Sequence, residues 1–125
     1  MIDHVSVGVS DLERSARFFE SALAPLGFSR LVTRPGTIGF GKTHPEFWIN
    51  LRPDMVEVAP DSGVHICLRA KSTEDVDAFH TAALTSGGRS DGAPGLRPHD
   101  RVRYYAAFVV DPDGNRIEAV TFPGE

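Results

Sequence analysis

The sequence predicts an α+β fold in which two copies of one βαβββ module form a single domain of 125 residues. Each half of the chain begins with an alternating, strand-like segment that is followed by an apolar helical stripe. The halves also share residue types at a constant offset, which indicates an internal repeat. We expect module 1 at about 1–55 and module 2 at about 62–125. The matching pairs are His4 and His65, Phe18 and Phe79, Ala22 and Ala83, Leu23 and Leu84, and Gly27 and Gly88.

Composition and charge exclude several classes of protein. Hydrophobic residues make up 41% of the chain and charged residues 24%, which is typical of a globular domain. The formal net charge of -4 leaves no basic surface for a nucleic-acid partner. No segment is long and apolar enough to span a membrane, and we expect no secretory signal because residues 2–9 alternate as in a strand. The single cysteine, Cys67, cannot form an internal disulfide, so we expect a cytoplasmic protein.

Module 1 begins with residues 2–9, whose apolar and small or polar side chains alternate as in a strand. Ser10 and Glu13 have the spacing of a capping box, so we expect a helix to begin there and to end at Gly27. Turn residues then separate three further strands. The helical stripe contains Leu12, Ala16, Phe19 and Leu23, and the strands are predicted at 28–33, 37–41 and 46–52.

Module 2 repeats this plan. Residues 64–70 alternate, and a helix begins at Ser72 and ends at Gly87. A segment at 87–103, rich in Gly, Pro and Arg, comes before two strands that are joined by a type I turn. The apolar stripe of the helix contains Val76, Phe79, Ala83 and Leu84, and the strands are predicted at about 102–110 and 115–121.

Each sheet has one helix, which covers one face and leaves the other face open. Alternation places His4 and His65 on the open faces of the first strands. It places Asn50 and Glu118 on the open faces of the last strands. If the two sheets face each other, these four side chains lie in one concave space. A carboxylate buried there needs a compensating cation.

Two imidazoles and one carboxylate suit Zn, Ni, Co, Mn or Fe(II) and leave coordination positions open for a substrate. His4, His65 and Glu118 are therefore the predicted metal ligands. The alternative is that the repeat preserved two hydrogen-bonded histidines for structural reasons. Glu118 would then pair with Arg116 or Arg103 at the surface.

Other side chains are candidates for substrate contacts. Trp48 should form an apolar wall on the open face. Tyr104 and Tyr105 point to opposite faces, so one of them reaches the site, either to bond a substrate oxygen or relay a proton, or only to pack. Cys67 is expected to be a small buried residue, with a thiol nucleophile as the alternative.

Arg97 belongs to a group of basic residues on the long segment of module 2. We favour a solvated charged loop, and the alternative is a lid whose cations bind an anionic substrate. The group consists of Arg97, His99, Arg101 and Arg103.

These residues resemble the vicinal oxygen chelate superfamily, which includes glyoxalase I, extradiol dioxygenases, fosfomycin-resistance transferases and bleomycin-resistance proteins. The resemblance covers essentially the whole chain, and the Asp-Pro-Asp-Gly-x-x-Ile-Glu run at 111–118 is its most specific part. His4 with the following Asp-Leu-Glu-Arg-Ser at 11–15, and Val-His-Ile at 64–66, also match. The resemblance implies paired βαβββ modules that form a partly open, barrel-like cup around a divalent metal, with His4, His65 and Glu118 as ligands. Asn50 departs from this pattern, because glyoxalase I-like members carry a Glu there.

We therefore expect a metal-dependent enzyme that acts on a small oxygen-bearing substrate, either a glyoxalase-like lyase or isomerase or a dioxygenase-like protein. Asn50 and Tyr105 would make the secondary catalytic contacts. One alternative is a metal-free, drug-sequestering protein of the bleomycin-resistance type, and another is an interaction protein whose cup is closed by dimerisation. Exposed sheet edges favour a homodimer. The sequence leaves open whether one chain or two build each site.

Overall fold

The computed structural model describes residues 1–124 and contains two four-stranded mixed sheets, each with one helix on one face. The predicted βαβββ plan is confirmed in both modules, but the sheets are not closed into a barrel. Module 1 contains β1 (Val5–Val9), α1 (Leu12–Leu23), β2 (Ser29–Arg34), β3 (Thr37–Gly41) and β4 (Pro45–Leu51). Module 2 contains β5 (Ile66–Arg69), α2 (Thr73–Thr85), β6 (Arg89–Arg97), β7 (Tyr104–Val110) and β8 (Arg116–Thr121).

Both sheets have the same strand order, with the first strand of the module at one edge. The orders are β1-β4-β3-β2 and β5-β8-β7-β6. The first strand pairs in parallel with the last, and the other neighbours are antiparallel. β1 and β5 begin at Val5 and Ile66, later than predicted, so His4 and His65 lie immediately before them. The two histidines therefore occupy equivalent places.

The core lies between the sheets and their helices. Ile49 and Ile117 are buried on the helix-facing side, as the alternation predicts. In module 1 the Phe19 ring lies 4.9 Å from that of Phe18 and 5.0 Å from that of Phe47, measured between centroids. Leu84 was expected in the core, but it is 43% exposed and therefore outside the apolar stripe of α2. No helix within residues 1–124 is long and apolar enough to cross a bilayer.

The two helices begin in different ways. Ser72 caps α2 as predicted, because its hydroxyl accepts a hydrogen bond from the amide of Asp75. The capping box predicted at Ser10 is wrong, because Asp11 caps α1 and accepts the amide of Arg14. Gly27 ends the short 3₁₀ turn after α1 with a φ of 87°, a conformation that glycine adopts without strain.

Part of the long segment after α2 is a strand and not a loop. Its first part forms β6, an edge strand that pairs with β7 through an irregular register. Arg97 is the last residue of that strand, whereas His99, Arg101 and Arg103 follow it before β7 begins. The expectation of one solvated loop from 87 to 103 therefore holds only for the residues after Arg97.

The turn between β7 and β8 fastens module 2 to module 1. The Asp113 carboxylate is buried and accepts hydrogen bonds from the amide of Ser10 at 3.0 Å and from its hydroxyl at 2.5 Å. The Asn115 side-chain amide donates to the carbonyl of Gly8 at 2.9 Å. We call these contacts the inter-module clamp. They give the Asp-Pro-Asp-Gly run a structural role, since they hold the end of β1 against module 2.

Asp111 should make the stability of the protein depend on pH. Its buried carboxylate accepts the backbone amides of Asp113 at 3.0 Å and Asn115 at 2.7 Å. Desolvation nevertheless raises its pKa from 3.8 to about 6, although those hydrogen bonds act in the opposite direction. The folded state then binds the proton more tightly than the unfolded state, so the free energy of unfolding falls as pH rises from 4 to 7.

Substitution Asp111→Asn removes this titration. The stability of the wild type relative to the variant should therefore be greater at pH 4 than at pH 7, by about 2 kcal/mol. Urea unfolding at both pH values measures the difference. Asp61→Asn, at an exposed position, is the control and should change nothing. Parallel pH profiles for the wild type and Asp111→Asn would contradict the assignment.

Candidate functional site

Glu118 lies at the centre of the open face of the second sheet. It pairs with Cys67 on β5 and with Phe108 on β7, and the residue is only 2% exposed. His65 Nε2 lies 3.1 Å from Glu118 Oε1, and the Tyr104 hydroxyl donates a hydrogen bond to Oε2 at 2.5 Å. Both carboxylate oxygens therefore have a partner, one on each side.

The surface ion pair considered as an alternative for Glu118 is not formed with Arg116. Arg116 instead binds Asp91, with 2.7 Å between Nη1 and Oδ2. The His65 side chain is 50% exposed, whereas that of Glu118 is 3% exposed. The Glu118 carboxylate is thus buried on the face of the sheet, and the His65 imidazole lies between it and solvent.

Cys67 does not have the buried position expected from the sequence, because the residue is exposed. Its thiol still lies against Glu118 and Tyr104. Desolvation, followed by the negative charge of Glu118, raises the pKa of Cys67 to about 12. The sulfur is therefore a protonated thiol at neutral pH, which argues against a nucleophilic role.

The two neighbouring tyrosines point to opposite faces, as predicted, and Tyr104 is the one that reaches Glu118. Burial, followed by the hydrogen bond to Glu118, raises the pKa of Tyr104, so its phenol remains a donor. The Tyr105 hydroxyl lies on the helix side and donates to Asp77 of α2 at 2.6 Å. This position corrects the expectation that Tyr105 contacts the site. Side chains alternate between the two faces along β7, so that of Tyr105 points to the helix side.

The open face of the first sheet carries the remaining predicted residues. His4 Nδ1 lies 2.8 Å from Asp3 Oδ1, and the His4 side chain is 54% exposed. The Thr37 hydroxyl lies 2.6 Å from Asn50 Oδ1, which fixes that amide on the open face.

Trp48 lies on the same face, and the Arg34 guanidinium is 5.7 Å from the centroid of its ring. Trp48 therefore provides the aromatic surface that the sequence predicts, with a cation above it.

His4 and His65 border one groove of about 370 Å³, which runs between the beginnings of β1 and β5. The groove does not complete the predicted ligand set. Within residues 1–124, no group of three or more His, Cys, Asp or Glu side chains is placed to hold a metal ion. The described residues thus bring together His65 and Glu118, while His4 borders the same groove as His65 without completing a group of three with them.

Phe108 is a site residue that the sequence analysis missed. Its ring centroid lies 6.5 Å from that of His65, and the Arg97 guanidinium carbon lies 5.4 Å from the Phe108 centroid. The carbonyls of Ala93 and Gly95 accept hydrogen bonds from Arg97 and fix its position. Alternation along β7 signals Phe108, since it lies four residues after Tyr104 and therefore on the same face.

Comparison with known proteins identifies the family. The model of the Glyoxalase/Bleomycin resistance protein/Dioxygenase superfamily matches residues 1–119. The chain belongs to this superfamily. The resemblance noted from the sequence is thereby confirmed. No curated protein matches the sequence.

Solved structures of the same superfamily share the fold. A glyoxalase/bleomycin resistance protein from Albidiferax ferrireducens T118 is 33% identical, with a TM-score of 0.83 and coverage of 94% of this chain and 96% of that chain. A glyoxalase-related enzyme from Fulvimarina pelagi is 20% identical, with a TM-score of 0.74 and coverage of 96% and 86%. Glyoxalase I from Zea mays is 23% identical, with a TM-score of 0.72. That match covers 94% of this chain but only 44% of the maize protein.

Members of the superfamily often bind divalent metals, commonly form dimers and bind small molecules. The open faces of this chain carry the residue types that such a site uses, but the two sheets present them separately.

Proposed function

We propose that this superfamily member is a metal-dependent enzyme that acts on a small oxygen-bearing substrate, as a lyase or isomerase of the glyoxalase kind or as a dioxygenase-like protein. The pairing of the His65 imidazole with the buried Glu118 carboxylate supports the proposal most directly. A nitrogen and an oxygen donor converge there on an otherwise open face.

His65 and Glu118 offer one nitrogen and one oxygen donor for a divalent cation. In a tetrahedral zinc site with ligand distances of about 2.0–2.2 Å, neighbouring ligand atoms are about 3.3–3.6 Å apart. His65 Nε2 and Glu118 Oε1 are hydrogen-bonded at 3.1 Å, so the two side chains would have to separate slightly to admit a cation. Zn, Ni, Co, Mn and Fe(II) all accept this pair of ligand types. When bound, the cation would polarise oxygens of the substrate.

His4 would supply the third ligand. Because the part of the chain that the structure describes does not group it with both His65 and Glu118, we expect it to come from a second copy in a homodimer. β1 and β5 are edge strands, and unpaired edges favour such association. In a two-fold dimer each chain would give His4 to one site and the pair to the other.

Asn50 bears on the reaction class. Its amide is held by Thr37 and cannot accept a proton as a carboxylate base does. Proton transfer by the glyoxalase route would therefore need a different base. A dioxygenase needs a redox-active metal, whereas a lyase works with Zn, Ni or Co. Activity measured with each metal, with and without oxygen, separates the two classes.

His65→Ala should abolish tight metal binding, because it removes one of the two converging donors. We expect the wild type to take up Zn²⁺ or Co²⁺ in equilibrium dialysis and the variant to bind at least about 100-fold more weakly. His80→Ala is the matched control, since His80 is bonded to Ser90 on another part of the surface. Equal metal content in the wild type and His65→Ala would refute the proposed centre.

A metal-free binding protein is the second candidate function, and the Trp48 ring with the Arg34 guanidinium above it favours this function. This aromatic surface could bind an organic ligand without a cation. The chain has one Trp, so ligand binding on this face should change the fluorescence of Trp48. A ligand response that persists in EDTA would favour this function over the metal-dependent one.

A further inference from the structure

The irregular part of β6 holds the Arg97 side chain in one place. Its guanidinium donates to the carbonyl of Ala93 at 2.6 Å and to that of Gly95 at 3.1 Å. A β-carbon at Gly92 would come within 3.2 Å of Arg97 Nη2 and 3.0 Å of the Phe108 ring. Because Gly92 has no such atom, the strand leaves space for the guanidinium to lie over that ring.

The positive charge of Arg97 is not neutralised by a carboxylate within residues 1–124. Other arginines do have carboxylate partners, and these pairs are Arg14 with Asp113, Arg30 with Glu20, Arg89 with Glu57, and Arg116 with Asp91. A guanidinium stays charged throughout the physiological pH range. Carbonyl dipoles and an aromatic ring attract a cation but leave its net charge in place. The open face of the second sheet therefore keeps a positive centre at Arg97.

The ring under the Arg97 guanidinium also lines a cavity of about 240 Å³. The lining of this cavity includes Pro60, Val64, His65, Phe108 and Arg116. Because His65 is one of them, the cavity adjoins the carboxylate of Glu118. The volume is below the range of about 300–1,000 Å³ that is typical for drug-sized ligands, so it suits a smaller molecule.

We infer that this face binds a small organic carboxylate, whose apolar body lies against the Phe108 ring and whose anionic end meets Arg97. The inference rests on the proposed function insofar as it names the substrate class of the same site, an acid and not a neutral carbonyl compound. An arginine has five N–H donors, so the two that bind carbonyls leave others for a ligand. Arg97 is thus the residue that determines specificity for a negative charge.

The test compares benzoate with benzamide, a neutral molecule of nearly the same shape. Both are titrated into the full chain in EDTA and followed by nuclear magnetic resonance, so that binding is measured without a cation. Benzoate should shift the amide signals of β6 and β7 and should bind at least about 10-fold more tightly than benzamide. Arg97→Gln should weaken benzoate binding at least about 10-fold and leave benzamide binding unchanged.

Arg101→Gln is the matched control, because it removes the same charge from an exposed residue of the same segment. Its affinity for benzoate should stay within about 2-fold of the wild type, since exposed charges are screened by salt. Arg97→Lys keeps the charge in case glutamine disturbs β6, and this variant should still prefer benzoate to benzamide.

Three results would overturn the inference: no saturable binding of benzoate by the wild type, equal affinities for benzoate and benzamide, or equal benzoate binding by the wild type and Arg97→Gln. Each of these results leaves the metal-dependent function standing if the wild type takes up Zn²⁺ or Co²⁺. Benzoate selectivity through Arg97 in a protein that binds neither metal would instead refute the metal-dependent function and leave the carboxylate site in place.

Discussion

Mixing His4→Ala chains with Glu118→Gln chains should restore metal binding that neither variant has alone. If His4 of one copy joins His65 and Glu118 of another, each homodimer has two damaged sites. A mixed dimer has one site with both changes and one with neither. After random exchange of chains, about one metal ion should bind for every four chains. Dialysis against Zn²⁺ followed by elemental analysis gives the stoichiometry.

A second mixture provides the control. His65 and Glu118 belong to the same half-site, so His65→Ala and Glu118→Gln chains should not restore each other. Glu118→Gln is preferable to an alanine substitution because the amide oxygen can still accept the hydrogen bond from Tyr104. Metal binding in neither mixture, with a wild type that binds it, would place all three ligands within one chain. The groove shared by His4 and His65 would then have to close around the cation.

Asp113→Ala should cause the largest loss of stability outside the apolar core. The substitution removes the acceptor for the amide and hydroxyl of Ser10 and a longer contact of 3.4 Å with Arg14. Donors left without a partner at a part-buried contact are costly, so we expect a loss of about 2–4 kcal/mol in the free energy of unfolding. Urea denaturation followed by circular dichroism measures it.

Ser10→Ala separates the contributions at this contact. It removes the hydroxyl but leaves the backbone amide free to bind Asp113, so its cost should be about 1 kcal/mol. Asp61→Ala, at an exposed position, should be neutral. A change below about 0.5 kcal/mol for Asp113→Ala would show that the inter-module clamp adds little to stability.

Much of the fold could be predicted from the sequence because local patterns determine it. Alternation correctly assigned Ile49 and Ile117 to the helix side and Glu118 to the open face. The cap of α1 could not be predicted, since Ser10 is bound by a residue 103 positions away along the chain. Leu84 was wrongly assigned to the core. The helical pattern shows which residues lie on one side of α2, but it does not show how much of that side the sheet covers.

The candidate site was predictable in part for the same reason. His65 and Glu118 converge because His65, immediately before β5, continues the alternation of that strand onto the face that carries Glu118 of the neighbouring β8. The choice between Tyr104 and Tyr105 depends on register, and a change of one residue exchanges the faces. The position of His4 relative to the pair depends on how two sheets pack, which no pattern along a single strand encodes.

The inter-module clamp and the packing of α1 against α2 determine whether either module could be stable alone. A half-length chain would expose the helix surface that now packs on its repeat, and the amide of Ser10 would have no carboxylate to bind. Such a fragment would be expected to self-associate before it became stable. The single chain therefore supplies both sides of each contact, which a separate module would have to obtain from a second copy.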